Sequence, residues 1–116
     1  MKALMGMFLA IVVAQCVQAG QFGEDVAFLK KHTPVLLLTD EAGQAQVAVV
    51  PAWQGRVMTS TDAGAKGPSY GWINRELIAS GKILKHMNAF GGEDRFWMGP
   101  EGGQFAIFFA KGDSDS

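Results

Sequence analysis

The sequence predicts an all-β domain of antiparallel strands with one short helix at its N-terminal end. Three observations carry this. Fifteen glycines and three tryptophans among 116 residues suit many short strands joined by tight turns. Residues 44–50 set Gln44, Gln46 and Ala48 against Ala45, Val47 and Val49, the two-residue alternation of a half-buried strand. Clusters rich in Gly, Pro, Ser and Asp at 40–43, 62–69 and 100–103 separate the apolar runs.

The first nineteen residues read as a secretory signal peptide, outside the fold. Met1-Lys2 gives a basic start, and residues 3–14 form an apolar run too short to cross a bilayer comfortably. Val17-Gln18-Ala19 offers small residues where a signal peptidase reads, so cleavage is expected after Ala19. The alternative is a lipobox ending at Cys16, but Gln15 stands where a small residue is required. A secreted or periplasmic location follows, with membrane contact only through this segment. Cys16 is the only cysteine and leaves with the peptide, so the mature domain, residues 20–110, must be held by packing rather than a disulfide. Residues 111–116 are a polar, acidic tail expected to be disordered.

Within the mature chain, residues 22–31 read as a helix. Phe22, Val26 and Leu29 fall at i, i+4 and i+7, with Glu24 and Asp25 in the first turn and Lys30 and Lys31 in the last. Pro34 ends it. Residues 35–39 are a strand, Asp40-Glu41-Ala42-Gly43 a turn, and residues 44–50 the hairpin partner, stopped by Pro51. Residues 55–61 form a third strand with Arg56 beside Val57 and Met58. Residues 72–79 admit a helical turn or an irregular strand. Residues 90–98 read as a strand entered through Gly91-Gly92, and residues 104–110 as the last strand. That last strand is apolar on both faces and belongs between layers. One helix and five or six strands are too few to cover both faces of such a sheet. The chain therefore reads as the N-terminal part of a longer β-protein, expected to be inactive alone. There is no internal repeat and no domain linker.

Charge and motifs exclude several function classes. The net charge is −1, or −2 once Lys2 is removed, with acids and bases interspersed, so nothing steers the protein to nucleic acid. His32 and His86 stand far apart with no ligand spacing, so no metal is expected, and no cofactor. Gly91-Gly92 is followed by Glu93-Asp94, whose carboxylates would repel a phosphate. No nucleophile motif of the GxSxG kind occurs.

Residues 88–109 are the most informative stretch, with two Gly-Gly pairs, four charged residues and a Trp among apolar runs. On a strand, Glu93, Arg95 and Trp97 share one face, while Glu93 and Asp94 point apart and make a poor acid–base pair. Two accounts stay open: a structural ion pair capped by Trp97, or polar contacts to sugar hydroxyls beside an aromatic platform. Arg56 and Arg75 suit fork-like hydrogen bonds to a ligand, or buried bridges to Glu76, Glu93 or Glu101. Trp53 and Trp72 read as core.

The runs Gly71-Trp72-Ile73-Asn74-Arg75 and Asn88-Ala89-Phe90-Gly91-Gly92 resemble the galactose mutarotase-like (aldose 1-epimerase) superfamily. Residues 50–61 (VPAWQGRVMTST), WINR at 72–75 and residues 88–104 are similar to uncharacterised secreted bacterial proteins of that superfamily, over nearly the whole mature chain. The resemblance implies the opening part of a β-supersandwich of several hundred residues that binds or acts on carbohydrate. It assigns sugar contact to Arg75, and Asn88 opens the second motif. With Glu93, Arg95 and Trp97 these are the candidate substrate-binding residues. Phe90 stands where the superfamily has a sugar-binding His, and the superfamily's catalytic Glu lies beyond residue 116, so no catalytic residue is identified. The alternative is a non-catalytic glycan-binding or structural module; an aromatic ring such as Phe90 could still stack on a sugar.

Overall fold

Helix α1 (Phe22–Lys30) forms where the apolar periodicity placed it, burying Phe22, Asp25, Val26 and Leu29 along one side. Its first backbone N–H groups have no side-chain cap at Gln21. The loop over residues 62–69 supplies acceptors instead: Phe22 N donates to Gly67 O at 3.0 Å and Gly23 N to Ala65 O at 2.8 Å. Acids in the first turn and Lys30 in the last complement the helix dipole. The computed structural model describes residues 20–85 and 87–97. The expected signal peptide, turn at 100–103, strand at 104–110 and tail at 111–116 fall outside the described residues.

Three antiparallel strands follow in meander order: β1 (Leu36–Thr39), β2 (Gln46–Val50) and β3 (Arg56–Thr61). The β1–β2 turn is fixed by Asp40, whose carboxylate accepts from Gln44 N at 2.8 Å and Ala45 N at 3.2 Å. After β2, Pro51–Trp53 make one 3₁₀ turn, and Gln54 and Gly55 reverse the chain at φ 62° and 57°.

β3 carries a bulge. Ala48 faces Thr59 but Val49 faces Val57, leaving Met58 as the extra residue. Alternation is reset there, so Met58 and Thr59 are both fully buried although adjacent. The same reset turns Arg56 into the covered face and Val57 away from it.

The core lies between this face and the helices. Leu29, Val50, Met58, Ile73, Ile78 and Phe90 form one cluster, and Phe22, Val26 and Ala48 a second. Each large side chain removed from water contributes roughly 1.5–3 kcal/mol. Leu36 and Leu38 on the other face of β1 are both 52% exposed.

Residues 72–79, which the sequence left open, resolve into Ile73 bridging to Gly91 and then helix α2 (Arg75–Ser80). Asn74 caps it, its Oδ1 accepting from Leu77 N at 3.1 Å, and Gly81 closes it at φ 67°. The antiparallel sheet and N-terminal helix of the expected architecture are thus present, with a second helix added.

Two expectations are corrected. In place of a strand at 90–98, the described residues 90–97 make only single pairings, Gly91 with Ile73 and Asp94 with Val57. Trp72, expected in the core, is 65% exposed, because the backbone pairing of Ile73 turns that residue, not Trp72, inward.

Tyr70 donates from its hydroxyl to Asp62 Oδ1 at 2.7 Å, and this bond raises the phenol pKa above 10.0. Since the folded value exceeds the unfolded one, the stabilisation is complete below the unfolded pKa and disappears as pH climbs through the folded one. This is the chain's only tyrosine, so phenolate absorbance reports it alone. An alkaline titration should give a midpoint above that of the free phenol, and Asp62→Asn should bring it back.

Candidate functional site

The site is built on Gly91 and Gly92. Their φ values, 92° and 103°, lie where side chains are strained, and a Cβ at Gly91 would sit 2.2 Å from Trp72 O. Two backbone bonds hold this turn to the segment before α2: Asn74 N to Phe90 O at 2.9 Å and Gly92 N to Trp72 O at 2.8 Å. The chain then runs beside β3, with Glu93 N donating to Val57 O at 2.8 Å and Val57 N to Asp94 O at 2.9 Å. Phe96 N closes the run on Gln54 O at 2.8 Å.

This path brings Glu93, Arg95 and Trp97 around one open depression of about 330 Å³, completed by Arg56, Gly91, Gly92 and Asp94. Strand alternation is not what gathers them. The glycine turn aims the segment, and contacts fix the side chains. Both Glu93 oxygens accept from Ser60 Oγ, at 2.8 and 2.9 Å. The Arg95 guanidinium lies 4.7 Å from the Trp97 ring centre, a cation–π contact. Asp94 Oδ1 accepts from Arg95 N at 2.8 Å. The ion pair considered between Glu93 and Arg95 is not formed, whereas Arg75 does pair, with Asp25.

Arg56 is the residue whose importance the sequence understated. It is 7% exposed, donating from Nη1 to Gly91 O at 2.7 Å and from Nη2 to Gln54 Oε1 at 3.3 Å. Its guanidinium lies 5.9 Å from the Phe90 ring centre. Burial, and secondarily the charge of Arg95, lower its pKa from the ordinary value. Nε is buried without a partner. An Arg flanked by apolar residues was the visible signal; the bulge that turns it inward was not.

The other candidates sit outside this depression, although Asn88 borders a neighbouring one. Arg75 Nη2 pairs with Asp25 Oδ1, and its guanidinium stacks 4.5 Å from the Phe28 ring centre, so it joins α2 to α1. Of the two accounts open for Arg75, ligand contact or bridge, the structure has a bridge, made to Asp25 and not to Glu76 or Glu93; Glu101 lies outside the described residues. Asn88 closes the loop before it, Oδ1 accepting from Leu84 N at 2.7 Å and Nδ2 donating to Leu84 O at 3.1 Å. Phe90 is 5% exposed and stacked on Trp53 at 4.1 Å, so its ring is core and not a platform for a sugar.

Among the described residues no cluster of three His, Cys, Asp or Glu could hold a metal ion, and no helix is long and apolar enough to cross a membrane. The chain belongs to a family of unknown function (DUF6786), whose model matches residues 20–116. No curated protein and no solved structure matches it.

Gly91→Ala should lower stability by about 2–3 kcal/mol, from a strained φ and the clash with Trp72 O. Thermal unfolding measures it. A loss under about 0.5 kcal/mol, the level of an ordinary surface change, would contradict this account of the turn.

Proposed function

We propose that this chain is a secreted carbohydrate-binding protein of the galactose mutarotase-like class, meeting its ligand with Glu93, Arg95 and Trp97. The observation that carries the reading is the depression they share. A pyranose has an apolar C–H face and a rim of hydroxyls. The first suits an indole, and Trp97 is 39% exposed. The second suits charged hydrogen-bonding groups, and Glu93 and Arg95 stand beside it. Ser60 restrains Glu93 and the indole restrains Arg95, which reduces the entropy lost on binding.

The sandwich part of the reading has support in the sheet, which carries helices on one face and half-exposed Leu36 and Leu38 on the other. A sheet layered against a second sheet has this apolar second face. Secretion is supported by the family match beginning at residue 20, directly after the expected cleavage at Ala19.

Binding is favoured here over turnover. Mutarotation needs a base for the anomeric hydroxyl and an acid for the ring oxygen. Phe90, standing where the superfamily has its histidine, is core. Arg75 and Asn88 are engaged with Asp25 and Leu84, and neither lines this depression. The binding surface therefore rests on the other three candidates.

Calorimetry of the full chain against a panel of monosaccharides and polysaccharides tests this. Saturable binding of at least one sugar is expected, weakened about tenfold by Trp97→Ala, which corresponds to roughly 1.4 kcal/mol. Anomer interconversion should proceed at the rate of buffer alone. No bound sugar in the panel, or affinity unchanged by Trp97→Ala, overturns the reading.

A further inference from the structure

Beside the first depression lies a second, of about 250 Å³, and the two share Arg56 and Arg95. Their linings differ in kind. Glu93 and Asp94 border the first. Among the described residues no carboxylate borders the second, whose walls include Trp53, Ile83, Met87 and Phe90. Apolar side chains share this hollow with the amides of Gln54 and Asn88 and with two guanidiniums.

The charge of Arg56 makes this arrangement informative. A guanidinium removed from water is normally matched by a carboxylate, because its desolvation is otherwise uncompensated. Arg56 is more than nine-tenths buried, yet both its acceptors, Gly91 O and Gln54 Oε1, are neutral. Its Nε has no partner. Among the described residues no carboxylate lies within 4.0 Å of it, and the nearby charge of Arg95 has the same sign. Arg56 therefore has no ion-pair partner among the described residues. An acid arriving through the first depression would face Glu93 and Asp94. One arriving through the second meets no such repulsion.

We propose that the second depression binds a small carboxylic acid with an apolar body, its carboxylate held at Arg56 and Arg95 and its alkyl or aryl part against Trp53, Ile83 and Met87. The proposal does not rest on carbohydrate binding at Trp97, although Arg56 and Arg95 border both depressions. Two positively charged forks suit a planar carboxylate, and Trp53, Ile83 and Met87 give its alkyl or aryl part apolar contact.

Titrating the full chain with hexanoate at low ionic strength, by calorimetry or amide NMR, tests the proposal. Hexanol, of equal length and uncharged, isolates the carboxylate. Glucuronate isolates the apolar body. Hexanoate should bind with a dissociation constant on the order of millimolar, as its size allows, and hexanol about tenfold more weakly. Arg95 is exposed, so Arg95→Gln should keep the fold, checked by circular dichroism, and weaken hexanoate about tenfold. Arg56→Lys keeps the charge but loses the fork, and should weaken hexanoate also. Added salt should weaken hexanoate and leave hexanol unchanged. Hexanol binding as well as hexanoate, glucuronate binding more tightly than hexanoate, unchanged affinity in Arg95→Gln, or no saturation by hexanoate would each overturn it.

Discussion

Much of the polar architecture follows from a single extra residue in β3. With Met58 bulged out of register, Arg56 faces the covered side of the sheet. A guanidinium there must find acceptors or the fold loses several kcal/mol. Gln54, held in a left-handed conformation just before the strand, provides one, and Gly91 O provides the other. The Gly91 carbonyl reaches this position because two successive positive φ values fold the chain tightly against Trp72 and Val57. Bulge, buried arginine and glycine pair are thus one mechanical unit. The segment carrying Glu93, Arg95 and Trp97 emerges from it already oriented.

This dependence also decides what could be read from the sequence. Helix α1 and the β1–β2 hairpin are local objects, whose periodicity, turn residues and proline stops lie within a few positions of one another. They appear close to where those signals put them. The β3 bulge is not local, because Val57-Met58-Thr59 looks like a strand in either register, and only contact with β2 and the core selects one. The expected strand at 90–98 failed for a related reason. Arg95 and Trp97 alternate with Phe96 as a strand would, yet the preceding glycines leave the pleated region. Their grouping was foreseen, but from alternation that the backbone does not follow. The tie between Asp25 and Arg75, fifty positions apart, had no sequence signal beyond two charges of opposite sign.

The two depressions gain meaning when considered together. They meet at Arg56 and Arg95, so a ligand in one changes the electrostatic setting of the other. Glu93 and Asp94 partly offset the guanidiniums on the first side. On the second side no carboxylate lies among the described lining residues, and Trp53, Ile83 and Met87 join Gln54 and Asn88 in the walls. Two chemically different surfaces thus lie within a short stretch of chain, bordered by the same arginines.

Arg56 and Arg75 make the underlying rule plain. The resemblance to sugar-binding proteins pointed to Arg75, and composition alone gives no reason to prefer the other. Arg75 is paired with Asp25, whose side chain is only 9% exposed. For Arg75 to turn to a ligand hydroxyl, that carboxylate would be left buried without its counter-charge. Breaking the pair costs the desolvation of that carboxylate, reduced by water at the half-exposed Arg75. Arg75 therefore stays with α1, where its stacking on Phe28 adds to the hold. Arg56 is the opposite case: it is more deeply buried, yet among the described residues it has only neutral acceptors. For it, an anion at the proposed second site would displace no existing ion pair among the described residues. Which arginine is available to a ligand is set by the partner it already has, and not by how exposed it is.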